Sequence, residues 1–392
     1  MAEHWRPVWA EIDLDAVRHN ASVICRLVHP AALCAVVKAD GYGHGAVPVA
    51  RAALEGGATW LAVALVEEGA ALRQAGIEAP ILLLSEPPVE AAAEAVAQRL
   101  VPTVYSRQGL DSLIEVVDDR SPPLEVHLKV DTGMHRVGAD VADTPELAGL
   151  IASHPRLVLG AVWTHLAVAD GADPEDRAFS AGQLERFDAA LAALATAGHR
   201  PPMTHAANSA GAIAFPQARR DMVRCGITVY GVAPTPALAD ALAAATGSHL
   251  RPVLSLRSRV TFVRDLDGGE RPSYGRRRPL PQRATVATVP IGYADGVPRR
   301  LFDRGGQVLI GGIRHPLAGA VTMDQVMVDC GPPGSAPVAL GDEVVFLGSQ
   351  GAEEVTATEW ADLLGTINYE VLCDIGPRVP RLTVGGGSGP AT

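Results

Sequence analysis

The chain contains no CxxC pair. Its five cysteines, Cys25, Cys34, Cys225, Cys330 and Cys373, are scattered without an even framework. A disulfide scaffold is not expected, and thiols left reduced fit a cytoplasmic protein. HExxH is missing and so is paired Cys/His spacing, so no metal site is expected. The Walker-type loop is absent too, which argues against a nucleoside triphosphate as ligand. Positive charge is in deficit: 33 Lys+Arg stand against 44 Asp+Glu, for a net charge of -11. Nucleic-acid binding needs a basic footprint, and so does an electrostatic membrane anchor. No apolar run reaches transmembrane length free of charge. The segment from Met1 to Pro7, with Glu3, His4, Trp5 and Arg6, leads into no hydrophobic signal core. These gaps lead to the expectation of a soluble protein that stays in the cytoplasm, with neither nucleic acid nor membrane as a partner.

What is present suits a globular chain with a sizeable core: 392 residues, 48% hydrophobic and 20% charged. Two regions differ in grammar. Up to about residue 230, short apolar runs alternate with longer alanine-rich amphipathic stretches. The runs at 33–37, 60–64, 81–84, 101–105, 124–130, 157–163, 203–206 and 223–229 read as strands. Helices are expected between them, for example at 46–55, 66–75, 89–97 and 175–197. Strands alternating with helices imply parallel pairing, and eight repeats imply a closed (β/α)8 barrel whose working residues lie at the C-terminal strand ends. Residues 232–251 read as a connector. From Pro252 the chain reads mostly as strands, at 253–263, 284–291, 307–310, 326–329 and 342–347. One helix interrupts them, opened by Thr356 and Glu359 as a capping box. The expected division is 15–240 as the barrel and 241–384 as a β-rich domain. Residues 8–14 form a strand that joins the second domain, and 385–392 form a disordered tail.

Six segments carry chemistry. Lys38 ends an apolar strand beside Gly41, Gly43 and Gly45, which let backbone approach a ligand. A desolvated lysine loses its proton readily and can condense with a carbonyl; a lysine snorkelling into solvent is the plain alternative. The strand LEVHLK shows Glu125, His127 and Lys129 on its polar side and breaks at Asp131-Thr132-Gly133 before Arg136. That arginine is suited to a carboxylate, or to an ordinary surface ion pair. His165, ending the sixth barrel strand, is a ligand, a base or a satisfied core group. Ser209 follows the seventh strand and can cap the next helix. After the eighth, exposed N–H groups at Gly226 and Ile227 suit a phosphate, as is common between the seventh and eighth strands of barrels. In the second region Tyr293 stands on a loop between two glycines, without an obvious packing role.

In order, the strings VVKADGYGHG, KVDTGMHRVG, WTHLA, HAANSA, VRCGITVYG, GYADG, MDQ and TINYEVLCDIGPRVPR resemble the alanine racemase family. The resemblance covers about residues 9–381 and implies a barrel followed by a β domain. It implies pyridoxal 5'-phosphate as cofactor, held covalently by Lys38 and surrounded by Tyr42, His165, Asn208, Ser209, Arg224, Gly226, Ile227 and Tyr369. It further implies that Arg136 and the backbone of Met323 hold the carboxylate of alanine. Lys38 and Tyr293 act as the two bases, with Tyr293 reaching the site from the second subunit of a homodimer with composite active sites. Lys129 matches a lysine that the family often carboxylates. A free tyrosine titrates at about 10, so as a base it needs positive neighbours. Arg224 against the ring nitrogen would leave the ring a weaker electron sink than a carboxylate does, favouring racemisation over transamination. His135 and Thr322 depart from the commoner family residues and leave room for other amino acids, such as serine. A decarboxylase would carry a different phosphate loop, and a non-catalytic carrier would lack the second domain.

Overall fold

The computed structural model describes residues 5–118, 122–335 and 337–385. The chain forms two units. One comprises Ala16–Gly41 and Gly45–Arg251; the other comprises Met1–Asp15, Tyr42–His44 and Pro252–Thr392. Strand β1, Val8–Asp13, opens the chain. Eight strands of the first unit follow: β2 (Ala32–Val36), β3 (Trp60–Val63), β4 (Ile81–Leu83), β5 (Thr103–Val104), β6 (Leu124–Lys129), β7 (Leu157–Trp163), β8 (Met203–His205) and β9 (Met222–Cys225). They pair in parallel as two arcs, β4-β3-β2-β9 and β5-β6-β7-β8.

Backbone bonds close the arcs into a ring. Val101 N donates to Ile81 O at 2.8 Å and Leu83 N to Val101 O at 2.9 Å; across the other seam Asp221 N donates to Thr204 O and Arg224 N to Ala207 O, both at 3.0 Å. The fold class is the expected (β/α)8 barrel. Its strands are short apolar runs because both faces are covered. Leu33 to Val36, Leu61 to Val63 and Ile81 to Leu83 are all buried. The longest helix, Pro174–Thr196, starts on a proline at its first turn and buries Gln183, Leu184, Phe187, Ala190 and Leu194 at helical spacing.

Three local expectations need correction. The eighth barrel strand stops at Cys225, not 229, because Gly226 to Gly231 fold into successive turns, with Val229 N bonded to Gly226 O at 2.8 Å. The run 101–105 is reduced to Thr103–Val104 plus a lone bridge at Val101. Pro102, between them, has no N–H for the ladder. Helices Leu14–Val28, Arg107–Ile114 and Thr144–Ser153 fill intervals without a predicted element.

The second unit holds β10 (Leu254–Arg259), β11 (Phe262–Leu266), β12 (Ala284–Val289), β13 (Gln307–Ile310), β14 (Ile313–Pro316), β15 (Val326–Asp329), β16 (Glu343–Gln350), β17 (Glu353–Val355) and β18 (Arg381–Val384). One sheet runs β14-β13-β16-β10-β1-β18, with β17 on β16; the other runs β11-β12-β15. Strand β1 lies antiparallel to β10 and parallel to β18. The alternating run 253–263 is two strands, since β10 pairs with β1 and β16 while β11 turns to β12. Thr356 caps helix Ala357–Leu364 through Glu359 N at 2.9 Å. The return half of the box is absent, because the Glu359 carboxylate grips Arg314 at 2.9 and 3.0 Å. Among the described residues no helix is long and apolar enough to cross a membrane. The expected tail, beyond Gly385, lies outside the described residues.

Candidate active site

Lys38 lies half-buried just past β2, at the C-terminal end of the barrel. The chain then turns through consecutive left-handed residues: Ala39 (φ 52°), Asp40 (50°), Gly41 (62°), Tyr42 (52°) and Gly43 (78°). Each non-glycine there costs about 1–2 kcal/mol, so the turn must be held from outside. Glu68 does so. One carboxylate oxygen accepts from Ala39 N at 2.6 Å, the other from Ala64 N at 2.8 Å and Leu65 N at 3.1 Å. Asp40 Oδ1 accepts from Ala46 N at 2.8 Å, and Gly41 N reaches back to Val37 O at 2.9 Å. A strained, braced turn next to a strand-end lysine marks a functional position.

Lys129, at the end of β6, is 2% exposed, with its ammonium nitrogen 4.4 Å from the centre of the Trp163 ring. Burial, then Arg224 and Arg136, lower its pKa to about 7, against a smaller upward pull from Asp131. Past it, Asp131 folds the loop carrying Arg136. Its Oδ1 accepts from Gly133 N at 2.9 Å and His135 N at 3.1 Å, and its Oδ2 lies 3.1 Å from His135 Nδ1. Gly138 (φ 147°) is obligatory, because a Cβ there would lie 2.6 Å from Asp131 N. Arg136 itself is exposed.

Arg224, on β9, is 3% exposed and lies 4.3 Å from the Trp163 ring. Its Nη1 donates to His205 Nδ1 at 2.7 Å and its Nη2 to Thr164 O at 2.8 Å and Ala206 O at 3.2 Å, with His165 Nδ1 at 3.4 Å. Burial pushes Arg224 down to about 10. Burial and then Arg224 drive His165 and His205 well below the usual histidine range, so both are neutral near pH 7. Lys38 also contributes to the lowering at Lys129 and His165, so four cations bear on this end of the barrel.

The loops after β8 and β9 meet at Ser209. Its Oγ accepts from Gly226 N at 3.0 Å and from Thr228 Oγ1 at 3.1 Å. Two expectations change here. Gly226 and Ile227 are buried, not exposed, and the Gly226 N–H already has Ser209 as acceptor. The cap of helix Ser209–Ala214 is Asn208, whose side chain accepts from Gly211 N at 2.9 Å and donates to Leu166 O at 3.2 Å, leaving Ser209 Oγ for the loop.

In the second unit the Tyr42 and Tyr369 rings lie 6.1 Å apart at 47°. A Cβ on Gly43 would sit 2.9 Å from Leu372 O, which explains a glycine beside them. Tyr293 is 41% exposed and Met323 52%. Their backbones are clamped: Tyr293 N donates to Thr322 O at 2.9 Å and Ala294 N to Met323 O at 3.2 Å. Gly292 permits this, since a Cβ would lie 2.3 Å from Met323 O. Asp295, fully buried, anchors the loop from below. It accepts from Arg6 at 2.6 and 2.8 Å and from Gly292 N at 3.0 Å, with Arg378 Nε at 3.4 Å.

The barrel thus gathers Lys38, Lys129, Arg136, His165, Asn208, Ser209, Arg224, Gly226 and Ile227 at its strand ends. The other unit pairs Tyr42 with Tyr369 and Tyr293 with Met323. Sequence reasoning assigned no role to Glu68, Asp295, Arg6, His205 or Trp163. His205, Trp163 and Asp295 carried a signal, lying in HAANSA, WTHLA and GYADG; Glu68 and Arg6 carried none. Among the described residues no cluster of three His, Cys, Asp or Glu is arranged to hold a metal.

Residues 12–234 match the family model described as "Alanine racemase, N-terminal domain", and residues 253–383 match "Alanine racemase, C-terminal domain". An alanine racemase of Symbiobacterium thermophilum is 47% identical over 376 residues, covering 96% of this chain and 97% of that protein. One from Desulfovibrio desulfuricans is 42% identical over 380 residues, covering 97% and 98%. Among solved structures, alanine racemase from a D-cycloserine-producing Streptomyces lavendulae superposes with a TM-score of 0.89 at 38% identity, covering 98% of each chain. The Bacillus anthracis alanine racemase with bound L-Ala-P gives 0.89 at 36% identity, covering 99% of this chain and 97% of that one.

Proposed function

The chain belongs to the alanine racemase family, and we propose that it interconverts L-alanine and D-alanine in the cytoplasm, using pyridoxal 5'-phosphate held in the barrel, and so supplies D-alanine for peptidoglycan. The observation that carries this is the charge at the barrel mouth. Lys38, Lys129, Arg136 and Arg224 all bear on it: burial first, and then the charges of Arg224, Arg136 and Lys38, bring Lys129 down to about 7. A field of that sign needs anions, and a phosphate monoester together with a substrate carboxylate supplies them. The donor set fits the cofactor. Lys38 would hold it through its amine; Tyr42, Ser209, Gly226, Ile227 and Tyr369 would surround the phosphate, with Asn208 beside Ser209 in the cofactor site, and His165 and Arg224 would line the ring. Arg224, which would face the ring nitrogen, is a guanidinium that cannot take its proton.

When bound, pyridoxal 5'-phosphate withdraws electrons from the substrate and makes the α-hydrogen acidic. The protein's own residues then do the positioning and the proton transfer. Arg136 and the backbone of Met323 orient the carboxylate. Lys38 takes or delivers the proton on one face of the α-carbon, and Tyr293 of a second copy does so on the other, because inversion requires opposite faces. An exposed phenol on a clamped backbone suits service to another chain, which supports a homodimer with composite sites. Lys129, with so low a pKa, has enough neutral amine near pH 7 to add dissolved CO2 and release a proton, and the resulting carbamate would pair with Arg136. The proposed domain assignment keeps 15–240 as the cofactor-binding barrel and 241–384 as the β-rich domain.

The reading is tested by incubating the purified chain, pyridoxal 5'-phosphate and L-alanine, with L-serine in a parallel reaction, and separating products on a chiral column. D-alanine accumulating toward an even mixture, faster than D-serine, is expected. Loss of L-alanine without D-alanine would contradict it.

A further inference from the structure

Four side chains form a file through the barrel, beginning at Arg224, which would line the cofactor ring, and running back behind it. Arg224 Nη1 lies 2.7 Å from His205 Nδ1, His205 Nε2 lies 3.2 Å from His127 Nδ1, and His127 Nε2 lies 3.0 Å from Glu125 Oε1. Both histidines are fully buried. The protons of this file can be placed from either end. A guanidinium only donates, so His205 Nδ1 must be the bare nitrogen and Nε2 must carry the hydrogen. His205 then donates to His127 Nδ1, and His127 carries its hydrogen on Nε2. A carboxylate only accepts, so Glu125 demands the same of His127. The two ends agree, and no second proton fits: on either ring it would set one N–H against another.

The backbone makes room for the carboxylate. Across β6 and β7, Val126 pairs with Leu159 but His127 pairs with Ala161, so Gly160 is an extra residue, a bulge. A Cβ there would lie 2.3 Å from Glu125 Oε1 and 2.6 Å from its carboxyl carbon. A glycine at the bulge admits the carboxylate, and any other residue would displace it.

We propose that Glu125, admitted by the bulge at Gly160, is a positioning residue that sets the tautomers of His127 and His205 and thereby holds the Arg224 guanidinium in one orientation. The ordering is a property of the chain itself; its consequence for catalysis rests on the racemase reading above. The file holds Arg224 still and does not conduct protons.

The test uses the full chain labelled with 15N-histidine, with and without pyridoxal 5'-phosphate, and long-range proton–nitrogen spectra assigned through His127→Gln and His205→Gln. Both rings should be neutral with hydrogen on Nε2. Glu125→Leu should reduce that preference at His127 by about tenfold or more, as expected for losing a hydrogen bond to a charged acceptor. Gly160→Ala should move it in the same direction while leaving the carboxylate in the chain. Glu125→Gln keeps an acceptor oxygen and should keep the tautomers, which separates positioning from misfolding. In the loaded protein, Glu125→Leu should lower kcat and leave the KM for alanine unchanged. Hydrogen on Nδ1 of either ring in the unsubstituted chain would overturn the proposal, as would unchanged tautomers in both Glu125→Leu and Gly160→Ala. A chain with the expected tautomers but no racemisation would instead count against the racemase reading.

Discussion

The two units prepare their functional groups in opposite ways. The barrel buries its groups: Lys129 and Arg224 lie almost out of reach of water, stacked on Trp163, and each charge is felt by the next. The β unit exposes its groups, leaving Tyr293 and Met323 in solvent and fixing only the backbone beneath them. A buried set builds an electrostatic field before any ligand arrives, whereas an exposed phenol on a rigid loop is suited to completing a site elsewhere. The barrel should therefore govern cofactor binding and charge, and the β unit should govern the second proton transfer.

Lys38→Ala should break the barrel side outright, removing both the cofactor's absorbance band and at least about 10³-fold of kcat; retention of the band would separate anchor from site. Tyr293→Phe should lower kcat about 10²- to 10⁴-fold while cofactor absorbance is kept, because the side chain is exposed. Equal loss of both would erase the contrast between units. Lys129→Met should act through stability. Lys129 sits at about 7 in the folded chain and about 10.4 unfolded, so between those values the unfolded chain binds more protons and stability rises with pH. Without cofactor and with CO2 removed, so that the amine is free, the variant should flatten that rise and gain roughly 4 kcal/mol near pH 7 in denaturant titrations. Asp295→Asn, which weakens the hold of Arg6 and Arg378, should cost about 1–3 kcal/mol and lower kcat with little change in cofactor affinity.

The same contrast governs what could be read in advance. The barrel was legible because parallel strands covered on both faces are plain apolar runs, and eight of them recur between helical stretches. Lys38 was legible because its glycines are neighbours in sequence. The reversal at Val260 was not, since alternation continues while the strand exchanges one partner for another. Strand Arg381–Val384 was missed because it is mostly exposed and carries no burial pattern. Asn208 and Ser209 are adjacent and both able to cap, so only geometry separates their roles. Glu68 and Asp295 each hold a backbone N–H three residues back, but their reach to Ala39 N and to Arg6 is set by tertiary folding, which no local pattern encodes. His127 and Lys129 looked like the polar face of an ordinary half-exposed strand, but a barrel turns that face inward.

The central claim is inversion at the α-carbon by two groups on opposite faces. It is tested most directly by giving the loaded protein L-alanine in D2O and following deuterium and handedness together. The account predicts D-alanine carrying deuterium at the α-carbon, formed as optical rotation is lost. Deuterium entering L-alanine without any D-alanine would mean a single working base and would contradict it.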